Sequence, residues 1–102
     1  MEYIRHGDCL LKPIDALPKN LRKTKSKTLA FGEVTGHHHS FSKNSAVTIF
    51  RDIEDQKYVS VESNARLSHQ EHDTVTVPKG TYVLVMEREM NPFTESIQQV
   101  VD

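Results

Sequence analysis

From residue 28 onward apolar and polar residues alternate with a period of two, the spacing of side chains on a strand that buries one face. Val47 and Ile49 share a face in Ala46–Arg51, Val59 and Val61 in Lys57–Glu62, and Val75 and Val77 in Asp73–Val77. Thr81–Glu87 is the most apolar run and predicts a central strand. Thr28–Phe31 predicts another. Asp52–Gln56 and Glu62–Asn64 read as hairpin connections, and Pro78-Lys79-Gly80 as a turn. The β-branched residues and tyrosines concentrated in these runs favour strands too.

The first third is less regular. Tyr3–Leu11 predicts a strand broken at Gly7-Asp8, with Leu10 and Leu11 facing the core. Pro13 and Pro18 bracket a short turn or a single helical turn, and Lys19–Lys27 reads as a mobile basic loop. Asn91–Asp102 carries Ile97, Val100 and Val101 and reads as a last strand or a partner contact. No repeat and no helical period emerge. The reading is all-β: one domain over 1–102, a small sandwich or compact barrel.

Composition narrows the partners. Lysine and arginine number 13 against 14 acids, so a net charge of −1 gives no electrostatic case for nucleic acid. The five positive charges between Lys19 and Lys27 read as a solvated loop, with a phosphate contact as the alternative. A single cysteine, Cys9, allows no intramolecular disulfide and points to a reducing, cytoplasmic setting. Among Leu10, Leu11 and Ile14 it reads as a buried, inert thiol. No apolar run approaches a membrane span and no signal-peptide pattern opens the chain, so no membrane partner is expected.

Histidine changes the picture. Five of the six fall into two clusters, Gly36-His37-His38-His39-Ser40 and His69-Gln70-Glu71-His72-Asp73. Imidazole is the commonest protein metal ligand. On a strand His37 and His39 project to the same face, which suits two imidazoles on one metal, and His38 points away. His69 and His72 are an odd number apart and meet on one side only where the chain turns or bulges at Gln70-Glu71. Glu71 is the best-placed carboxylate to take a proton from a metal-bound water, and Glu33, four residues before His37, is the second candidate. His6 and His38 carry no such expectation. Asp8, after Gly7, is a turn residue or a site carboxylate. The order H-x-E-H excludes the helical H-E-x-x-H protease site. Paired cysteines, a Gly-rich phosphate loop and a G-x-S-x-G elbow are absent from the sequence.

Two resemblances follow. His37-x-His39 with the later Pro78-Lys79-Gly80 is similar to the cupin pattern, in which His37 and His39 would be the first two metal ligands. The chain departs from it where cupins place a glutamate after H-x-H and a histidine after P-x-G, since Ser42-Lys43 and Tyr82-Val83 stand there. More of the chain resembles a group of short uncharacterised bacterial and phage proteins. The residues that carry this are Gly7-Asp8-Cys9-Leu10-Leu11, Leu29-Ala30-Phe31-Gly32-Glu33-Val34-Thr35-Gly36-His37-His38-His39, His69-Gln70-Glu71-His72, Pro78-Lys79-Gly80-Thr81-Tyr82 and Arg88-Glu89-Met90-Asn91-Pro92. That resemblance marks Glu33, His37, His39, His69, Glu71 and His72, leaves out His38, and implies no activity.

The expectation is a cupin-like all-β domain, a small sandwich or compact barrel, holding a divalent metal mainly on His37, His39 and one or both of His69 and His72. Zinc is the first choice, with iron, manganese and nickel as alternatives. An open coordination position would make it a metal-dependent lyase or hydrolase acting on a small polar substrate. A closed set of protein ligands would make it a binding or sensing module, and incidental histidines would leave an accessory protein acting by protein contact. Open sheet edges make a homodimer a natural expectation.

Overall fold

Alternating strands must bury their apolar faces against a second layer, and in this chain that layer is another sheet. The computed structural model describes residues 3–31, 37–70 and 72–86, which form ten strands and no helix. In order these are β1 (Ile4–His6), β2 (Cys9–Pro13), β3 (Arg22–Lys23), β4 (Thr28–Phe31), β5 (His38–Phe41), β6 (Val47–Arg51), β7 (Lys57–Val61), β8 (Ala65–Ser68), β9 (Val75–Val77) and β10 (Gly80–Met86). The larger sheet runs β1-β2-β10-β7-β6-β3 and the smaller β4-β5-β8-β9, with every pairing antiparallel. The fold is all-β. No helix among the described residues is long and apolar enough to cross a membrane.

One core lies between the sheets. The larger contributes Cys9, Leu11, Val47, Ile49, Val59, Val61, Tyr82 and Leu84, the smaller Leu29, Ala30, Phe41, Ala65, Leu67 and Val77. Val47 with Ile49 and Val59 with Val61 are among these residues, as is Val77, while its partner Val75 is half-buried and packs against them. Strand β10 is central as its apolarity requires, hydrogen-bonded to β2 on one side and β7 on the other. The Tyr82 hydroxyl, carried inward with its ring, donates to the Pro78 carbonyl at 2.7 Å.

Several local expectations change. Asp52–Gln56 does close the β6–β7 hairpin: the Asp52 carboxylate accepts from the Glu54 and Gln56 amides, and Asp55 takes the positive φ of the turn. Glu62–Asn64 is not a hairpin. It carries the chain from β7 in the larger sheet to β8 in the smaller, and Asn64 caps the move by accepting from the Lys79 amide at 3.0 Å. Strand β8 itself went unpredicted because Ala65-Arg66-Leu67-Ser68 offers only one strong apolar residue. Within the basic stretch Arg22-Lys23 pairs with Phe50-Arg51 as an edge strand, and the Lys27 ammonium donates to the Ser45 and Val47 carbonyls. That charge is therefore a clamp between segments. The break at Gly7-Asp8 is a two-residue hairpin turn with His6 paired to Cys9. Gly7 at its first position has φ +64°, as such turns demand. The tail from Asn91 lies outside the described residues.

Candidate metal centre

The site is built by register. In the β5–β8 ladder Ser40 pairs with Ser68 and Phe41 with Leu67, so one step beyond it His39 stands opposite His69. Their ring centroids are 4.5 Å apart. Gln70 then falls opposite His38 and accepts from its amide at 2.8 Å. His37, on the same face as His39, has its ring 5.4 Å from that of His69. Beyond β8 the chain leaves the ladder before re-entering at Val75, and this departure lets His72 face the same way as His69, with centroids 4.6 Å apart. The two histidine clusters therefore meet, through the departure from strand geometry that their odd spacing requires.

His38 turns away, as alternation predicts. Its ring lies against the Ser40 hydroxyl and 6.4 Å from the ring of Phe31. Glu33 and Glu71, the two expected proton acceptors, lie outside the described residues.

The β1–β2 hairpin completes the arrangement with residues that sequence reasoning left aside or undecided. His6, at the end of β1, is buried, and its ring is 4.8 Å from that of His39, 5.8 Å from His72 and 6.2 Å from His69. Its Nδ1 lies 2.8 Å from His39 Nδ1, and its Nε2 2.8 Å from the Asp73 carbonyl oxygen. A lone histidine in a short strand gives no signal of this; only the meeting of β1 with the β8–β9 link reveals it. Asp8 is a turn residue whose carboxylate faces the histidines, with Oδ1 3.4 Å from His39 Nε2. Cys9 is buried, as expected, with its thiol 3.8 Å from the Met86 sulfur. Asp8, Cys9 and His39 each turn a potential ligand atom to within 4.8 Å of the other two. They are a possible metal-binding triad.

The inner and outer sides differ. His39 and Cys9 are buried, Asp8 and His37 are half-buried, and His72 is exposed. Burial, followed by the charges of His6 and His69, pushes the His39 imidazole down from 6.5 to about 4, with Asp8 opposing. Burial also lowers His6, against the hydrogen bond to the Asp73 carbonyl. The sign of the pH effect follows. The unfolded chain binds more protons below about pH 6.5, so the metal-free fold loses stability as pH drops from there toward about 4, and the loss is complete below that. The melting temperature of chelator-treated protein is expected to begin falling above pH 5, before most carboxylates protonate. A flat profile from pH 7 to 5 would contradict the neutral pair.

Gly7 forms the floor. A Cβ built on it would stand 2.8 Å from His72 Nε2 and 2.9 Å from His39 Cε1, so only glycine lets the hairpin approach these rings. The Pro78-Lys79-Gly80 turn lies at the other end of β8 and β9, beside Asn64, away from the histidines.

These observations define a small two-sheet all-β domain with a histidine-rich cluster at one end. Residues 5–87 match the family described as a domain of unknown function (DUF8820), and the chain belongs to that family. No curated protein and no solved structure matches the chain.

Proposed function

We propose that the cluster is a mononuclear metal centre that activates water on a small polar substrate. The observation that carries this is the 3.4 Å between His39 Nε2 and Asp8 Oδ1. Two ligands at about 2.1 Å on a tetrahedral ion stand about 3.4 Å apart. The ring centroids of His39, His69 and His72 stand 4.5, 4.6 and 5.9 Å from one another, close enough for a small shift of rings to bring their nitrogens to the ion beside His39 and Asp8. His39, His69, His72 and Asp8 are the proposed ligands, with His37 beside His69 on the outer side. Zinc is the first choice of metal, and iron, manganese or nickel also suit an imidazole–carboxylate set.

The exposed outer side favours a reaction. An ion held between buried His39 and exposed His72 leaves room for water on the solvent side, and a bound metal lowers that water's pKa to about 7. Hydration or hydrolysis follows, with Glu71 or Glu33 as the general base. A second reading draws on the Asp8–Cys9–His39 triad: if the thiolate joins a histidine pair and Asp8, the set closes at four protein ligands and the domain is a binding or sensing module.

Untagged protein purified and dialysed against zinc is expected to hold about one equivalent, and a His39→Ala chain far less. With zinc at 100 times its dissociation constant, linkage adds about 2.7 kcal/mol of stability, or roughly 10–20 °C in melting temperature for a domain of this size. Zinc content well below one equivalent, unchanged by His39→Ala, ends the proposal. X-ray absorption on the loaded protein separates the readings, since a zinc–sulfur shell at about 2.3 Å supports the closed module and a shell of nitrogen and oxygen alone supports the enzyme.

A further inference from the structure

We infer that His6 is a positioning residue that fixes which nitrogen of His39 faces the metal; this rests on the metal centre proposed above and assigns a role to a side chain outside its ligand set. Hydrogens can be placed one by one along a chain of bonded groups that runs from Asp73 to the buried His6 and His39. The Asp73 carbonyl oxygen, 2.8 Å from His6 Nε2, can only accept, so His6 Nε2 carries a hydrogen. Neutral His6 has only that one, which leaves its Nδ1 as an acceptor. His39 Nδ1, 2.8 Å away, must then donate to it. His39, itself neutral with one hydrogen, is left with a bare Nε2 lone pair, and that nitrogen is the one 3.4 Å from Asp8.

The order Asp73 carbonyl, His6, His39 is thus a one-directional relay of hydrogen bonds ending in a lone pair aimed beside a carboxylate oxygen. Two acceptors facing each other repel, and a divalent cation between them turns that repulsion into coordination. A ligand histidine held by a second hydrogen bond is the general device for orienting the ring and raising its basicity. Here the holding group is another imidazole, itself held by a main-chain oxygen that follows directly on His72. The 78° angle between the His6 and His39 rings allows an in-plane approach of each nitrogen to the other without stacking. The opposite order has a definite signature: it would place the hydrogen on His39 Nε2, where it would bond Asp8 and close the position to a metal.

The test is the tautomer of His39, read by long-range proton–nitrogen correlation in metal-free full-length protein at pH 7.5, together with zinc affinity. Wild type is expected to show His39 protonated on Nδ1. In His6→Leu the acceptor is gone, the Nε2-protonated form appears, and zinc binds ten- to a hundredfold more weakly. In His6→Gln one amide N–H remains to donate to Asp73 and one amide oxygen to accept from His39, so tautomer and affinity return to near wild type. His39 protonated on Nε2 in wild type overturns the relay, as does unchanged zinc affinity in folded His6→Leu. A wild type that takes up no zinc ends the metal centre, and the His39 tautomer in the same sample then decides the relay alone. That tautomer also decides the matter if His6→Leu does not fold.

Discussion

A Gly7→Ala chain is expected to lose roughly 2–5 kcal/mol of stability and to bind no zinc. Two effects add. Gly7 sits at φ +64° in the β1–β2 turn, where an L-residue costs about 1–2 kcal/mol. The new methyl also meets His72 Nε2 at 2.8 Å and His39 Cε1 at 2.9 Å, and overpacking of this kind costs about 1–3 kcal/mol. The two contacts are unequal. His72 is exposed and can swing aside, which removes one proposed ligand. His39 is 1% exposed and hydrogen-bonded through His6, so relief there means moving the hairpin and with it Asp8. Against a total stability of about 5–15 kcal/mol the loss is large but leaves most chains folded at low temperature. Urea unfolding with and without zinc, with metal content on the folded fraction, measures both effects. Wild-type stability together with a full equivalent of zinc would mean that the hairpin does not form the floor of the site.

The same residue shows how far the sequence could be read. Gly7-Asp8 announced a break, and a turn glycine before an acid is ordinary hairpin chemistry. Nothing local says that the outer surface of this turn lies against imidazoles encoded thirty and more residues later. His37, His39 and the turning-away of His38 were legible because strand alternation is a local rule, and the structure follows it at Ser40, Gln70 and Phe31. The bend joining His69 to His72 was legible as a condition, since an odd separation cannot serve one ion from a regular strand. His6 was not legible. Its role depends on which strand end meets the β8–β9 link, a matter of sheet order that the pattern leaves open. The mistaken hairpin at Glu62–Asn64 has the same cause, because a short polar link looks alike whether it returns to its own sheet or crosses to the other. The all-β architecture and the apolar faces of β6, β7 and β10 were fixed by period; the pairing of β8 with β5 was fixed by contacts far apart in sequence.

A Leu67→Ala chain is expected to lose about 3 kcal/mol, within the 2–5 kcal/mol range for such truncations, and yet to keep its zinc. Leu67 is fully buried on β8, opposite Phe41 on β5 and Val75 on β9. Its removal opens a cavity between the sheets two residues from His69. The ladder that carries His69 to its place opposite His39 is made of main-chain hydrogen bonds, which the truncation leaves intact, so the folded fraction retains the register and the ligands. Stability alone would therefore not separate Leu67→Ala from Gly7→Ala, whereas metal content does. Both chains, held at a temperature where each is folded by circular dichroism, are compared for bound zinc after identical dialysis. About one equivalent on Leu67→Ala and almost none on Gly7→Ala locates the site in the hairpin floor and the strand ends. Equal loss on both would show that zinc uptake depends on the packing of the whole core, and the specific role given to Gly7 would fall with it.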